Sequence, residues 1–193
     1  ELNLNGLKVE YAHTRPYRGM KLEDIEILHA LHEWKVEADY SSAVRLLEPF
    51  VRQLEQKEDS LANRNKYYRP LSYLKEKLLL WEIKQQVDSV NVGDSVRPYL
   101  KKDMLEGVYC DDGRRTYYWE GNQMINTLIA YRIIKNDPSL CKLKENMQLY
   151  ILRTKERGWN TYQASSAVAT VLTDLLAGSG GMSGTSVSVS GKD

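Results

Sequence analysis

The stretch that most constrains this chain lies near its C-terminal end, where a Gly-Trp boundary opens a helix whose first half is built of small residues. Gly158 can take the left-handed conformation that ends a helix, and Trp159 puts a large ring at the reversal. Asn160 or Thr161 can then cap a new helix through a side-chain oxygen. In that helix Ala164, Val168, Val171, Leu172 and Leu175 recur at steps of four and three and share one face. Ala164, Ser165, Ser166 and Ala167 are small enough for another helix to approach closely, and Gly178 with Gly180-Gly181 stops the run. The preceding segment carries Leu140, Leu143, Met147, Tyr150 and Ile151 at helical spacing and ends near Gly158, so the two form a hairpin.

The same periodicity recurs upstream. A first helix is predicted over 21–38 from Leu22, Ile25, Leu28 and Leu31, with Glu23, Asp24 and Glu26 placed to suit the helix dipole. A second carries Ala43, Leu47, Phe50, Val51 and Leu54; Pro49 inside it predicts a kink or a break, and polar residues 56–66 read as its end and a loop. Pro70 can open a third helix with Leu71, Leu74, Leu78 and Trp81 on one face. Leu79, Leu80 and Ile83 widen that stripe, so this helix should be central. Residues 87–97 read as a connection, followed by a helical turn after Pro98 over 99–104. Asp112-Gly113 between aromatic runs predicts a tight turn and a small hairpin. A helix then spans 120–135 with Met124, Ile125, Leu128, Ile129 and Ile133 inward.

The ends differ. Leu2, Leu4, Leu7 and Val9 alternate like a strand, residues 11–20 read as a loop, 177–185 are Gly and Ser rich, and Val187 and Val189 alternate again. The expected division is a strand-like lead-in over 1–20, a helical domain over 21–177, and a linker leading into a β segment over 178–193. The chain begins at Glu1 and is expected to be a piece of a longer one, so the lack of a targeting signal bears on nothing.

Charge narrows the partners. Lys and Arg total 27 against 26 Asp and Glu, which gives no basic excess for nucleic acid. Apolar runs fall short of the roughly 20 residues a membrane span needs. Aromatic usage is lopsided, with 13 Tyr and 4 Trp against one Phe, a bias that suits half-buried rings with polar tips. Cys110 and Cys141 show no metal spacing. They can pair in an oxidising compartment, for about 3 kcal/mol or more, or stay as two thiols, one or both buried, which is the preferred reading.

Few residues invite chemistry. His29, His32 and Glu33 give His-x-x-His-Glu, not the His-Glu-x-x-His order of a zinc protease. Asp111-Asp112 can serve as an acid–base pair, but adjacent carboxylates beside a Gly more often do turn chemistry. Tyr117-Tyr118-Trp119 can stack on a sugar or grip a peptide, and more often caps a helix stack. No phosphate loop or nucleophile signature occurs, and no cofactor, metal or catalytic residue is expected.

Several features follow one another in order: Leu-x-x-x-Leu-Leu-Leu-x-Glu-Ile-Lys within 74–84, Gly-Val-Tyr at 107–109, Tyr-Tyr-Trp at 117–119, Leu-Lys-Glu-Asn at 143–146, Tyr-Ile-Leu at 150–152, and Trp159-x-Thr161 before its small-residue helix. Over about 70–177 this resembles the C-terminal half of the α/α-toroid, thioester-type domain of bacterial alpha-2-macroglobulin-like proteins, particularly the large ones of Bacteroidetes. The resemblance implies an all-α fold, a partial α/α toroid of terpenoid-cyclase-like hairpins. It also implies a periplasmic or cell-surface location, neighbouring β domains in the same parent chain, and a share in trapping a protease. The reactive Cys-x-Glu-Gln of thioester-bearing relatives is not here: Cys110 precedes Asp111-Asp112, Cys141 precedes Lys142-Leu143, and Tyr162 replaces the second Thr of the usual Trp-x-Thr-Thr.

The expectation is a non-enzymatic endopeptidase-inhibitor component. Trp159 and Thr161 should fix the last hairpin, and Tyr109, Tyr117, Tyr118 and Trp119 should crowd one end of the stack. The alternatives are a carbohydrate-active enzyme using Asp111 or Asp112, and a plain helical scaffold.

Overall fold

The structure, a computed structural model, describes residues 20–116, 123–155, 158 and 160–178, without the side chains of Thr161 and Tyr162. The fold is all-α, with one small hairpin among the described residues. Helix α1 is Leu22–Glu33, α2 Tyr40–Arg64, α3 Leu74–Val87 and α4 the single turn Gly93–Val96. A 3-10 turn at Arg97–Tyr99 leads into strands β1 (Leu100–Lys102) and β2 (Val108–Cys110). Helices α5 (Gln123–Ile134) and α6 (Cys141–Thr154) follow. The last helical run is α7 (Thr161–Ala167), a π turn (Val168–Leu172) and α8 (Thr173–Gly178). The lead-in over 1–19, the tail from 179, and Tyr117, Tyr118, Trp119 and Trp159 lie outside the described residues.

Two helices form the spine. α3 packs against α1, α2 and α5, while α5 packs in turn against α6, β2, α4 and α7. The breadth of α3's stripe explains its place: Leu74, Leu78, Leu79, Leu80 and Ile83 are all buried, each worth roughly 1.5–3 kcal/mol on removal from water. α5 is buried on more sides than its apolar pattern predicts, because Asn126, Thr127 and Tyr131 also point inward.

α1 stops at Glu33 rather than running to 38. Lys35 takes the left-handed conformation (φ 56°), and the Lys35 and Val36 amides return to the carbonyls of His32 and Leu31. This is a Schellman closure made without glycine. Asp39 then caps α2, its carboxylate accepting from the Ser42 amide at 3.1 Å.

α2 is one continuous helix through Pro49, not two segments, and it extends through the polar stretch expected to be a loop. Val44, Leu47, Phe50 and Val51 are buried, and that burial offsets the hydrogen bond Pro49 cannot donate. Beyond Gln56 the helix persists because Glu58 is buried. Its carboxylate accepts from the Tyr68 hydroxyl (2.7 Å) and the Leu71 amide (2.8 Å), folding the following connection back along α2. Leu71 and Arg115 then form an isolated bridge, so α3 begins at Leu74 rather than at Pro70.

One hairpin forms where none is predicted. It joins 100–102 to 108–110, with Lys101 opposite Tyr109, where a helical turn was expected. The Asp103 carboxylate closes its turn by accepting from the Leu105 (2.8 Å) and Gly107 (2.7 Å) amides. Gly113 is left-handed at φ 74°, as a turn at Asp112-Gly113 requires, and the aromatic run 117–119 that would follow it lies outside the described residues.

In the last hairpin Gly158 is left-handed (φ 86°), and Asn160 caps α7 by accepting from the Gln163 amide at 2.8 Å. The inward face differs from the predicted one: Ala167, Thr170 and Val171 are buried, whereas Val168 and Leu175 are exposed. Asp174 decides this, since it turns inward to meet Tyr131 on α5 and Lys135 just beyond its end.

Candidate functional site

The polar groups that penetrate the spine come first, because they decide which side chains remain for function. His29 on α1, Glu82 on α3 and Arg132 on α5 meet at one point. Arg132 donates to both carboxylate oxygens of Glu82, from Nε at 2.6 Å and from Nη2 at 2.7 Å. His29 Nε2 donates to Oε2 at 2.9 Å. Burial alone would raise the Glu82 carboxyl, but the hydrogen bonds from Arg132 and His29 hold it down at about 2. His32, three residues from His29, sets its ring edge-on to Tyr40 at 4.9 Å instead. The two histidines therefore serve separate contacts. Sequence reasoning missed Glu82 as a focus, although a carboxylate inside the run Leu78 to Ile83 was the available signal.

A second network joins the last helix to the spine. The buried Tyr131 hydroxyl donates to Asp174 (3.0 Å) and accepts from Gln148 Nε2 (2.8 Å), and Lys135 pairs with Asp174 at 3.3 Å. Burial, reinforced by Asp174, pushes the Tyr131 phenol up to about 12.

The Asp pair is spent on its turn. Asp111 accepts from the Gly113 amide (2.9 Å), Gln123 Nε2 (3.2 Å) and Lys101 Nζ (3.4 Å). Burial opposes these contacts, yet together they lower its carboxyl, the wrong direction for a proton donor at neutral pH. Asp112 accepts from Ser72 Oγ at 2.7 Å and the Arg114 amide at 3.0 Å. Cys110 and Cys141 are both free thiols, the first buried and the second exposed. Burial, with Asp111 and Asp112 nearby, pushes the Cys110 thiol up to about 12, far from a reactive thiolate.

Of the expected interaction residues, Tyr109 on β2 is half-buried and stacks on Tyr150 of α6, with centroids 5.2 Å apart and planes 26° apart. Thr161 is the first residue of α7; its side chain is outside the described residues. Tyr117, Tyr118, Trp119 and Trp159 are outside them too, so the expected crowding of aromatics at one end falls mostly outside the described residues.

A feature open to solvent lies on the other side of α3. A groove of about 330 Å³ runs between α2 and α3, floored by Val51 and Leu80 and reaching Ser95. Its walls carry Glu48, Arg52 and Glu55 from α2 and Lys77, Trp81 and Lys84 from α3. Lys84 pairs with Glu48 at 2.9 Å, and Lys77 with Glu55 at 3.1 Å. Lys77 also donates to the Tyr99 hydroxyl at 2.7 Å and sits 5.6 Å from the Trp81 ring centre. Burial works to lower Lys77, but its bonds to Tyr99 and Glu55 prevail and raise it.

Among the described residues no group of three His, Cys, Asp or Glu side chains is placed to hold a metal ion, and no helix is long and apolar enough to cross a membrane. The chain matches no family model, no curated protein and no solved structure.

Proposed function

We propose that this chain is a non-catalytic helical module that packs against neighbouring β domains of its parent chain and helps to enclose a protease. That is the role implied by its resemblance to the toroid domain of bacterial alpha-2-macroglobulin-like proteins, at a periplasmic or cell-surface location. One observation supports the passive part of this reading above the others. Of the side chains weighed for chemistry, His29, Asp111, Asp112 and Cys110 are consumed by internal contacts or buried, which leaves the exposed Cys141 thiol. A glycosidase on a similar scaffold needs one raised carboxyl beside a second, ionised one. Asp111 and Asp112 instead accept hydrogen bonds from their own turn and from Lys101, Gln123 and Ser72.

The test uses the full-length parent. It is incubated with a panel of endopeptidases and passed over a sizing column before and after cleavage. The reading expects the cleaved parent to retain protease, and a parent lacking 21–177 to retain none. Protease eluting free in both cases rejects enclosure. Hydrolysis of a glycan panel that disappears in Asp111→Asn or Asp112→Asn replaces this reading with the enzyme.

A further inference from the structure

We propose that the groove between α2 and α3 is a docking site for an acidic peptide segment, in which one Asp or Glu carboxylate pairs with Arg52 and the apolar side chain beside it lies on Trp81. The register of the two helices creates the site. Glu48 pairs with Lys84 and Glu55 with Lys77, so position rises along α2 as it falls along α3, and the helices run antiparallel. Glu48, Arg52 and Glu55 stand at successive turns of one face of α2, as do Lys84, Trp81 and Lys77 on α3. Two ion pairs therefore bracket a cell whose middle is lined by Arg52 and Trp81.

The charges in that cell are unequal. Lys77 and Lys84 each have a carboxylate, whereas Arg52 is exposed and has no ion-pair partner among the described residues. A guanidinium of this kind takes a carboxylate through two parallel hydrogen bonds. Glu48 and Glu55, one turn to either side, set the limit on charge: a single carboxylate fits between them, while a polyphosphate or a nucleic-acid strand would meet both. Trp81 supplies the apolar half, and Tyr99, tilted against it at 6.1 Å, holds its ring in place. A volume of about 330 Å³ suits two adjacent side chains of a peptide lying along an open trough.

The site goes beyond the protease reading and does not depend on it; a parent that retains no protease would leave the geometry of this groove unchanged. The test takes the whole 193-residue chain and two fluorescein-labelled, amide-capped peptides, Gly-Phe-Glu-Gly and Gly-Phe-Gln-Gly, with anisotropy as the readout. The Glu peptide should bind about tenfold more tightly than the Gln peptide, and this preference should shrink in high salt. In Arg52→Gln the preference should vanish while the melting temperature stays put, because the residue is exposed. In Trp81→Ala both peptides should weaken together. Equal binding of the two peptides to the wild type, a preference that survives Arg52→Gln, or tighter binding of an uncharged oligosaccharide overturns the proposal.

Discussion

Arg132 and Glu82 face each other across the spine through two parallel hydrogen bonds, 2.6 and 2.7 Å long, from helices fifty positions apart in the chain. The Glu82 side chain is 6% exposed, so the pair is cut off from the screening that makes most ion pairs weak. With His29 it holds α1, α3 and α5 to a common point.

That contact sets an acid limit. The Glu82 carboxyl is held at about 2, below its ordinary 4.5, so the folded state binds its proton less readily than the unfolded chain. The associated stability, on the order of 3 kcal/mol, is present above pH 4.5 and is lost as pH falls toward 2. Thermal melts between pH 6 and pH 3 should show this decline. Glu82→Gln should flatten it and cost about 3–5 kcal/mol at neutral pH, because the Arg132 guanidinium then faces a neutral amide in place of the carboxylate.

Tyr131→Phe isolates the second network. It removes the hydroxyl that joins Gln148 to Asp174 and leaves a buried Gln148 amide without that acceptor. The expected cost is about 1–3 kcal/mol in denaturant melts. Hydrogen exchange should quicken in α8 more than in α1.

Pro49→Ala should stabilise the chain. Position 49 lies ten residues into a 25-residue helix, where alanine restores a donor and removes the ring. The gain is at most about 3 kcal/mol, reduced by the greater freedom of the unfolded chain. A lower denaturation midpoint would mean that the proline ring itself is packed.

The two thiols should differ. A disulfide-exchange reagent should titrate Cys141 at once in the native protein and reach Cys110 only on unfolding. Two fast thiols in the native state would contradict the burial of β2.

Much of this was written locally. The width of the apolar stripe around Leu78 and Leu80 marks α3 as central, and Asn160 and Gly158 mark the last hairpin with their own conformational preferences. What escaped depends on distant partners. Nothing near Glu82 names His29 or Arg132, and nothing in 56–64 says that Glu58 will be buried by Tyr68 and Leu71. The hairpin was missed for a different reason: its closing residue, Asp103, sits in a charged stretch that reads equally well as a helical turn. Of the groove, Trp81 was read only as part of the apolar face of Leu74 and Leu78, Lys77 and Lys84 were not singled out, and the opposing row of α2 carried no sign of its register.

The strap at Glu58 has a consequence for how the chain meets a hydrolytic enzyme. The connection from 65 to 73 is long and polar, the sort of segment a protease nicks, yet its backbone is tied at Tyr68, Leu71 and Ser72. The tip of the hairpin, though held by Asp103 and Arg153, presents its side chains to solvent, with Met104 fully exposed and Leu105 largely so. Among the described residues, the first scission should therefore fall at that tip, and the fragments on either side would stay joined through the spine.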